Sequence, residues 1–280
     1  MKNLKHVLRY PGSFILHALC WLSTVVIAIL LIMVIGFVVW RGLPALKPSL
    51  FALEYTSENV SLMPALLNTF IMTLLSLLIA VPLGVGGAIF LAEYANSESR
   101  AVKLIRLTSE TLAGIPSILY GLFGMMFFVI WCDWNYSILS GAMTLAIMIL
   151  PLILRTTEEA LLSIPQSYRE GSFGLGAGKL RTVMRIVLPP ASPGILAGVI
   201  LAIGRVVGET AALIFTAGTV ADFPNSLMSS GRTLAVHMYV LASEGFHVEA
   251  ASATALVLLV LVFGMNTLSA FIAKKWVRGN

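Results

Sequence analysis

Six long runs of apolar residues, separated by short polar segments, set the pattern of this chain. The runs cover residues 14–40, 63–92, 111–131, 137–154, 190–217 and 250–273. A helix of roughly 20 apolar residues crosses a hydrocarbon core of about 30 Å. Because lipid offers no partner for unpaired backbone groups, each run predicts a membrane-spanning helix. The pattern therefore predicts an all-α integral membrane protein with six transmembrane helices.

The first run follows a basic start, which is also how a secretory signal begins. A signal's apolar stretch is about 7 to 15 residues long and ends at a small-residue cleavage site. Here the run extends through Val34 and Val38 as far as Arg41. We therefore expect a retained transmembrane helix, with residues 1–13 as a cytoplasmic tail and residues 14–280 as a single transmembrane domain.

The placement of basic residues predicts the orientation. The chain is only 11% charged, whereas a soluble protein is about 25% charged. The net charge of this chain, +5, would also suit a nucleic-acid partner. With a cytoplasmic N-terminus, the inner segments hold Lys2, Lys5, Arg9, Arg100, Lys103, Arg106, Arg155, Arg169, Lys179, Arg181, Arg185, Lys274, Lys275 and Arg278, and the outer segments hold only Arg41, Lys47 and Arg232. This bias is typical of cytoplasmic loops. Both termini are therefore predicted to be cytoplasmic, and no nucleic-acid partner is needed to explain the charge.

Small residues recur at four-residue spacing in three of the runs. The pairs are Gly84 and Ala88, Gly194 and Gly198, and Gly204 and Gly208. This spacing lets helix backbones approach closely, so it predicts a tightly packed bundle. The two cysteines and four histidines, in contrast, show no metal-ligand spacing, so no metal site or cofactor is predicted.

The longest predicted cytoplasmic loop, residues 156–189, contains several helix signals. Thr156 and Glu159 have the spacing of a capping box, and Pro165 can stand only at the start of a helix. Gly174 to Gly178 interrupts the helical pattern, and Pro189 marks the start of the next span. We expect short helices folded around a glycine turn. On these features alone, an amphipathic connector that touches lipid headgroups explains the loop equally well.

The same loop resembles the ATPase-contact motif of binding-protein-dependent ABC importer permeases, which reads E-A-A, three residues, G, nine residues, I-x-L-P. The matching residues are Glu170, Gly176, Ile186, Leu188 and Pro189, while Gly171 and Ser172 replace the two alanines. Both replacements are small, so close contact with a partner is retained as an expectation. The resemblance implies that the loop transmits the movement of an ATPase.

The chain shows no nucleotide site of its own. Its nearest approach to a phosphate-binding loop is GLGAGKL, preceded by Phe173 where the first glycine should stand. Leu180 occupies the place of the Ser or Thr that would bind magnesium. We therefore expect a transport subunit that is not an enzyme, with ATP hydrolysed by another chain.

The fifth run contains two ionisable residues, Arg205 and Glu209. Such residues are costly inside a bilayer and usually face the bundle interior or a wet pathway. Residues Gly194, Gly198 and Ala202 fall on the same helical face as the charged pair. Two interpretations remain: a structural ion pair one turn apart, or a gate at which Arg205 meets a transported anion. The small-residue stripe favours the gate.

Nearly the whole chain resembles the PstA-type permease family of phosphate ABC importers. The resembling segments are IFLAEYA at 89–95, IPSILYGLF at 115–123, LRTTEEAL at 154–161, IPQSYREGSFGLGAGK and LAIGRVVGETAALIFTAG. The resemblance implies a type I ABC importer (MetI-like) permease fold in a bacterial plasma membrane. It also implies phosphate as substrate, and Arg205, Glu209 and Arg155 as residues of the pathway, although Arg155 on its own is read as a positive-inside anchor.

The partners implied by this family are a homologous second permease, two ATPase subunits and a periplasmic phosphate-binding protein. The alternatives are a permease for another oxyanion, such as sulfate or molybdate, or an ion-coupled secondary transporter. A secondary transporter usually has internal repeats, which this sequence does not show. The loop motif would also have no role in such a protein.

Overall fold

The computed structural model describes the backbone of residues 11–278 and the side chains of residue 12 and of residues 15–271. Most of the predicted tail at 1–13, with Lys2, Lys5 and Arg9, lies outside the described residues. The side chains of Lys274, Lys275 and Arg278 also lie outside them.

The described part of the chain is mostly helical and contains no strand. The helices are α1 (Pro11–Ala45), α2 (Met63–Ile89), α3 (Arg100–Ala113), α4 (Ser117–Gly124), α5 (Ile138–Leu162), α6 (Gln166–Gly174), α7 (Lys179–Thr182), α8 (Leu188–Val207), α9 (Ala211–Thr216), α10 (Leu234–Glu244) and α11 (Val248–Arg278). Three π-helical segments extend them: Phe90–Tyr94 follows α2, Met125–Trp131 follows α4, and Val183–Val187 joins α7 to α8.

Five stretches are long and apolar enough to cross a membrane: Ile15–Ala45, Met63–Tyr94, Ile138–Leu162, Lys179–Val207 and Val248–Phe271. A sixth is Arg100–Ala113 with Ser117–Trp131, if this pair counts as one span, although its two helices meet at 103°. The third run was predicted as one helix over 111–131, and this is wrong at its start. Pro116 lies at the break and precedes α4, because its ring and missing N–H do not suit a continuous helix.

Helix α5 lies at the centre of the bundle, between α2 and α8. Its Leu145, Met148 and Ile149 are fully buried. A Cβ atom added to Gly84 of α2 would lie 2.8 Å from Ile153, and one added to Gly194 of α8 would lie 2.7 Å from Ala160. These two small-residue faces therefore pack against α5, as predicted. Gly204 and Gly208 make no comparable approach to another helix.

The first helix stands at the edge of the bundle and packs chiefly against α11. Gly42 allows this contact, since a Cβ there would lie 2.7 Å from both Leu256 Cβ and the Ser252 carbonyl oxygen. None of the apolar window of this span is buried within the chain. The remaining surface of α1 is thus available to lipid or to another subunit.

The segment predicted as a cytoplasmic loop over 156–189 is more helical than expected. Helix α5 continues to Leu162, so Thr156 and Glu159 lie inside it and the predicted capping box is wrong. Instead, the Thr156 hydroxyl donates to the Leu152 carbonyl, and Glu159 accepts from Arg155. In a helix interior the backbone N–H groups are already bonded, so a cap has no donor to satisfy.

The end of the loop also differs from the prediction. Pro189 lies in the first turn of α8, as predicted, but α7 and the π-helical segment run into α8 without a break, so the helical stretch begins at Lys179 and ends at Val207. The wide turn Val183–Val187, in which Leu188 N–H donates to the Val183 carbonyl, precedes the two prolines. Wider turns of this kind allow a helix to pass residues that disrupt α-helical hydrogen bonds.

Candidate functional site: a cytoplasmic hairpin and a charged site within the membrane

Helix α6, the turn at residues 175–178 and α7 form a hairpin, which we call the cytoplasmic hairpin because the sequence predicts that this segment is cytoplasmic. Pro165 precedes α6, as predicted, and Gly176 has a φ of 78° in the turn. A positive φ favours glycine, which explains the residue at this position of the motif. The hairpin exposes large apolar side chains: Tyr168 at 55%, Phe173 at 44%, Leu175 at 90% and Leu180 at 68%. Clustered exposed apolar side chains are typical of a protein-binding surface.

The motif residues take different positions in this region. Glu170, Gly171 and Gly176 are exposed on the hairpin, with open space beside both glycines. Ser172 is buried, and its hydroxyl lies 2.8 Å from the Thr182 hydroxyl, so it holds α6 against α7 instead of facing outward. The remaining three residues lie further along the continuous helix: Ile186 is exposed, Leu188 half-buried and Pro189 exposed.

Arg169 is a further residue of the hairpin that the sequence did not single out. It was counted only as one of the basic residues of a cytoplasmic loop. In the structure it is 8% exposed and forms a buried ion pair with Glu93, at the inner end of the second span. The position of Glu93 at the end of an apolar run was the available signal, but its partner is 76 residues away.

The charged pair of the fifth span does not form the i, i+4 ion pair that was one of its two interpretations. Helix α8 ends at Val207, and residues 208–210 separate it from α9. Glu209 is 8% exposed, and its Oε1 accepts hydrogen bonds from the N–H groups of Thr210 at 3.2 Å and Ala212 at 3.1 Å. Because the helix breaks here, the carboxylate caps α9. No ion pair to Arg205 occurs among the described residues.

Arg205 is half-buried and lies within electrostatic range of the Tyr120 phenol on α4. The Tyr120 hydroxyl donates to the Leu112 carbonyl at 2.8 Å. On α11, Asn266 Oδ1 is buried without a hydrogen-bond partner, and it lies 3.9 Å from a Cβ added to Gly204. Helices α4, α8 and α11 therefore bring polar groups together inside an apolar bundle. Asn266 could have been noticed in the sequence, since it is the only amide or charged residue in the run 250–273.

The small-residue stripe of α8 has a packing role. Gly194 contacts Ala160, and Gly198 approaches the side chain of Thr156, both on α5. The stripe therefore does not form an open path to Arg205, and this part of the case for a gate is lost. What remains is the position of Arg205 itself, a cation inside a membrane span.

Arg155, the third predicted pathway residue, lies apart from Arg205. It is exposed near the inner end of α5, where its Nε donates to Glu159 at 3.0 Å and its Nη1 donates to Glu110 at 3.4 Å. A neighbouring pair, Arg106 and Glu158 at 2.7 Å, links α3 to α5. Arg155 thus belongs to a group of ion pairs near the end of α5 that leads to the hairpin.

The comparison with known families decides the class of protein. Residues 84–278 match the family described as "Binding-protein-dependent transport system inner membrane component". The chain belongs to this family. As a member with five or six apolar helices, it is a multi-pass protein of the plasma membrane and a subunit of a transporter.

Two relatives and one solved structure illustrate the similarity. The "Probable ABC transporter permease protein YqgI" of Bacillus subtilis (strain 168) is 33% identical over 87% of this chain and 90% of its own length. The "Phosphate transport system permease protein PstA" of Haemophilus influenzae (strain ATCC 51907 / DSM 11121 / KW20 / Rd) is 33% identical over 77% of each chain. A bacterial alginate ABC transporter, solved with a pentasaccharide-bound periplasmic protein, matches 99% of both chains with a TM-score of 0.71 at 14% identity. The predicted ABC importer permease fold is confirmed.

Proposed function

We propose that this permease-family member forms part of an ATP-driven importer that moves inorganic phosphate from outside the cell into the cytoplasm. The relatives named as phosphate transport permeases support the substrate. The observation that carries the proposal in the structure is Arg205, half-buried within a span and without an acidic partner among the described residues. A guanidinium group can donate two parallel hydrogen bonds to an oxyanion.

The importer would contain a homologous second permease, two ATPase subunits and a periplasmic phosphate-binding protein. This chain would supply no nucleotide site, since Phe173 and Leu180 occupy the positions that a phosphate-binding loop needs for glycine and for Ser or Thr. Arg205 would contact the anion, while Glu209 would fix the helix break beside it. Arg155 would act at the inner end of the path.

The cytoplasmic hairpin would receive the movement of an ATPase. Its exposed Glu170, Gly171 and Gly176 and its apolar side chains would face that subunit. Ser172 would keep α6 attached to α7, and Ile186, Leu188 and Pro189 would connect the hairpin to α8. The region predicted as a coupling loop over 156–189 would then work as a hairpin between two long helices.

Reconstitution of the complete complex into vesicles tests the proposal. Labelled phosphate should accumulate when ATP is present inside, and should stop when ATP is removed while the membrane potential is kept. Uptake that persists without ATP would indicate an ion-coupled transporter. Unlabelled sulfate or molybdate should not compete with labelled phosphate; strong competition would assign the complex to another oxyanion.

A further inference from the structure

Arg169 is the point at which the exposed helix α6 is attached to the bundle. Its Nε donates to Glu93 at 3.0 Å to Oε1 and 3.3 Å to Oε2, and its Nη2 donates to Oε1 at 2.6 Å. The same guanidinium donates from Nη1 to the Ile164 carbonyl at 2.8 Å and from Nη2 to the Leu161 carbonyl at 3.0 Å. The Arg169 and Glu93 side chains are 9% and 6% exposed. A buried, forked pair of this kind has a well-defined geometry.

A second contact joins the other arm of the hairpin to the same place. The Lys179 ammonium lies 5.1 Å from the centre of the Tyr94 ring, in a cation–π arrangement. Lys179 begins α7, whereas Arg169 lies on α6. Two consecutive residues at the inner end of the second span therefore contact both sides of the hairpin.

The π-helical end of the second span gives Glu93 and Tyr94 these positions. Residues Phe90–Tyr94 form a wide turn, closed by a hydrogen bond from Ala95 N–H to the Phe90 carbonyl at 2.8 Å. One extra residue in a turn shifts the side chains that follow by about 100° around the helix axis. Single wide turns within α-helices often occur at functional sites. Here the turn directs two side chains to the hairpin.

We propose that Glu93 is a positioning residue that ties the cytoplasmic hairpin to α2, so that hairpin movement reaches α2 directly. The chain itself connects the hairpin only to α5 and α8. Helix α2 packs along the central helix α5, and Gly84 is in close contact with Ile153. A tie through Glu93 makes α2, α5 and α8 move with the hairpin as one unit. This inference rests on the proposed role of the hairpin as the ATPase contact.

Uptake per ATP hydrolysed, measured on assembled complexes in vesicles, tests the tie. In Glu93→Gln the amide keeps the size of the side chain but loses the charge, so we expect ATP hydrolysis to continue while phosphate uptake per ATP falls about fivefold or more. Arg169→Lys should give an intermediate ratio, because a lysine cannot reproduce the fork. Glu98→Gln is the matched control: Glu98 pairs with Lys103 at 2.8 Å near the same end, but both side chains are exposed. This control should keep the wild-type ratio.

A covalent cross-link between positions 93 and 169 tests whether the lost coupling can be restored. In a Glu93→Cys, Arg169→Cys variant, with Cys20 and Cys132 replaced by serine, uptake per ATP should be low. A short bifunctional thiol linker between the two positions should restore most of the ratio, and reduction of a cleavable linker should remove it again. The linked variant also serves if Glu93→Gln does not assemble.

A wild-type ratio in assembled Glu93→Gln would overturn the tie, as would a linked Cys variant with an unrestored ratio. Reduced assembly with a normal ratio in the remaining complexes would assign the ion pair to stability alone and would also overturn it. Failure of the proposed function is recognised separately, because the wild-type complex itself would then show no ATP-dependent phosphate uptake.

Discussion

The Glu209 carboxylate accepts hydrogen bonds from the backbone N–H groups of Thr210 and Ala212, and it forms no ion pair with Arg205, one helical turn earlier in the sequence. The two residues are therefore independent in the structure, although their spacing is that of a helical ion pair. A cation that is not neutralised inside a membrane span is costly. Its retention is explained if an anion passes it.

Arg205→Gln should assemble normally and lose phosphate uptake. Hydrogen bonds to charged groups are worth about 1.5–3 kcal/mol, so we expect a loss of about tenfold or more. Arg205→Lys should transport at an intermediate rate, since it keeps the charge without the planar fork. Because no ion pair joins the two residues, adding Glu209→Gln should not restore uptake to Arg205→Gln. The measurement is labelled phosphate uptake per assembled complex. Arg41→Gln is the control, because Arg41 is exposed, and it should transport at the wild-type rate. Recovery of uptake in the double variant would support a structural ion pair instead.

Glu209 should respond to substitution as a helix cap. In Glu209→Gln the amide oxygen still accepts from the two N–H groups, so the thermal stability of the purified complex should change little. Glu209→Ala removes the acceptor and should cost about 0.5–2 kcal/mol. Equal destabilisation in both variants would show that the charge of Glu209, and not its capping oxygen, is what matters.

The sequence predicted the apolar helices and the glycine turn because each depends on local pattern. Gly176 illustrates this, since its place in a motif implied a turn and its φ is positive. Contacts between distant segments could not be predicted in the same way. The Glu93–Arg169 pair joins residues 76 positions apart, and the capping role of Glu209 depends on a helix break that hydrophobic pattern does not reveal. The ion pair and the cap can therefore be recognised only in the folded structure.

Helix continuity was the other source of error. Pro189 was expected to start a span, and it lies in the first turn of α8, but the helical stretch extends back to Lys179. The wide turn Val183–Val187 joins the two parts, and such turns have no clear sequence signal. Thr156 likewise has the sequence of a cap, but its hydroxyl bonds within α5.

Substitutions of Gly176 should separate backbone conformation from contact with the ATPase. An added Cβ meets nothing within 4 Å, so the cost within this chain is conformational. A left-handed conformation costs most side chains about 1–2 kcal/mol, whereas aspartate adopts it more readily, so valine tests the backbone conformation and aspartate tests an added charge at the partner surface. We expect Gly176→Val and Gly176→Asp to weaken ATPase association, measured by co-purification, with membrane insertion preserved. Gly174→Ala is the matched control, because Gly174 is an exposed helical residue with open space beside it and is not part of the motif, so association should be unchanged. Wild-type association and uptake in Gly176→Asp would remove the hairpin from the coupling role.

Acid should destabilise the protein through His237, which lies on α10, outside the candidate spans. Burial, together with the positive charge of Arg232, lowers the pKa of His237 to about 3 from its usual 6.5. The folded protein therefore favours the neutral ring, and the unfolded chain takes up a proton more readily. The stabilisation is fully present above about pH 6.5 and is lost as the pH falls towards 3.

The matched variant for this test is His237→Phe. Both ring nitrogens of His237 are buried without a well-formed hydrogen bond, so an aromatic ring of similar shape loses at most a weak contact with the Val60 backbone. It also preserves the edge-to-face contact with Tyr55, whose ring centre lies 6.3 Å away. We expect the melting temperature of the purified complex to decline less steeply in His237→Phe than in the wild type between pH 6.5 and pH 4. Parallel melting curves for the two proteins over this range would show that His237 does not take up the proton that destabilises the fold.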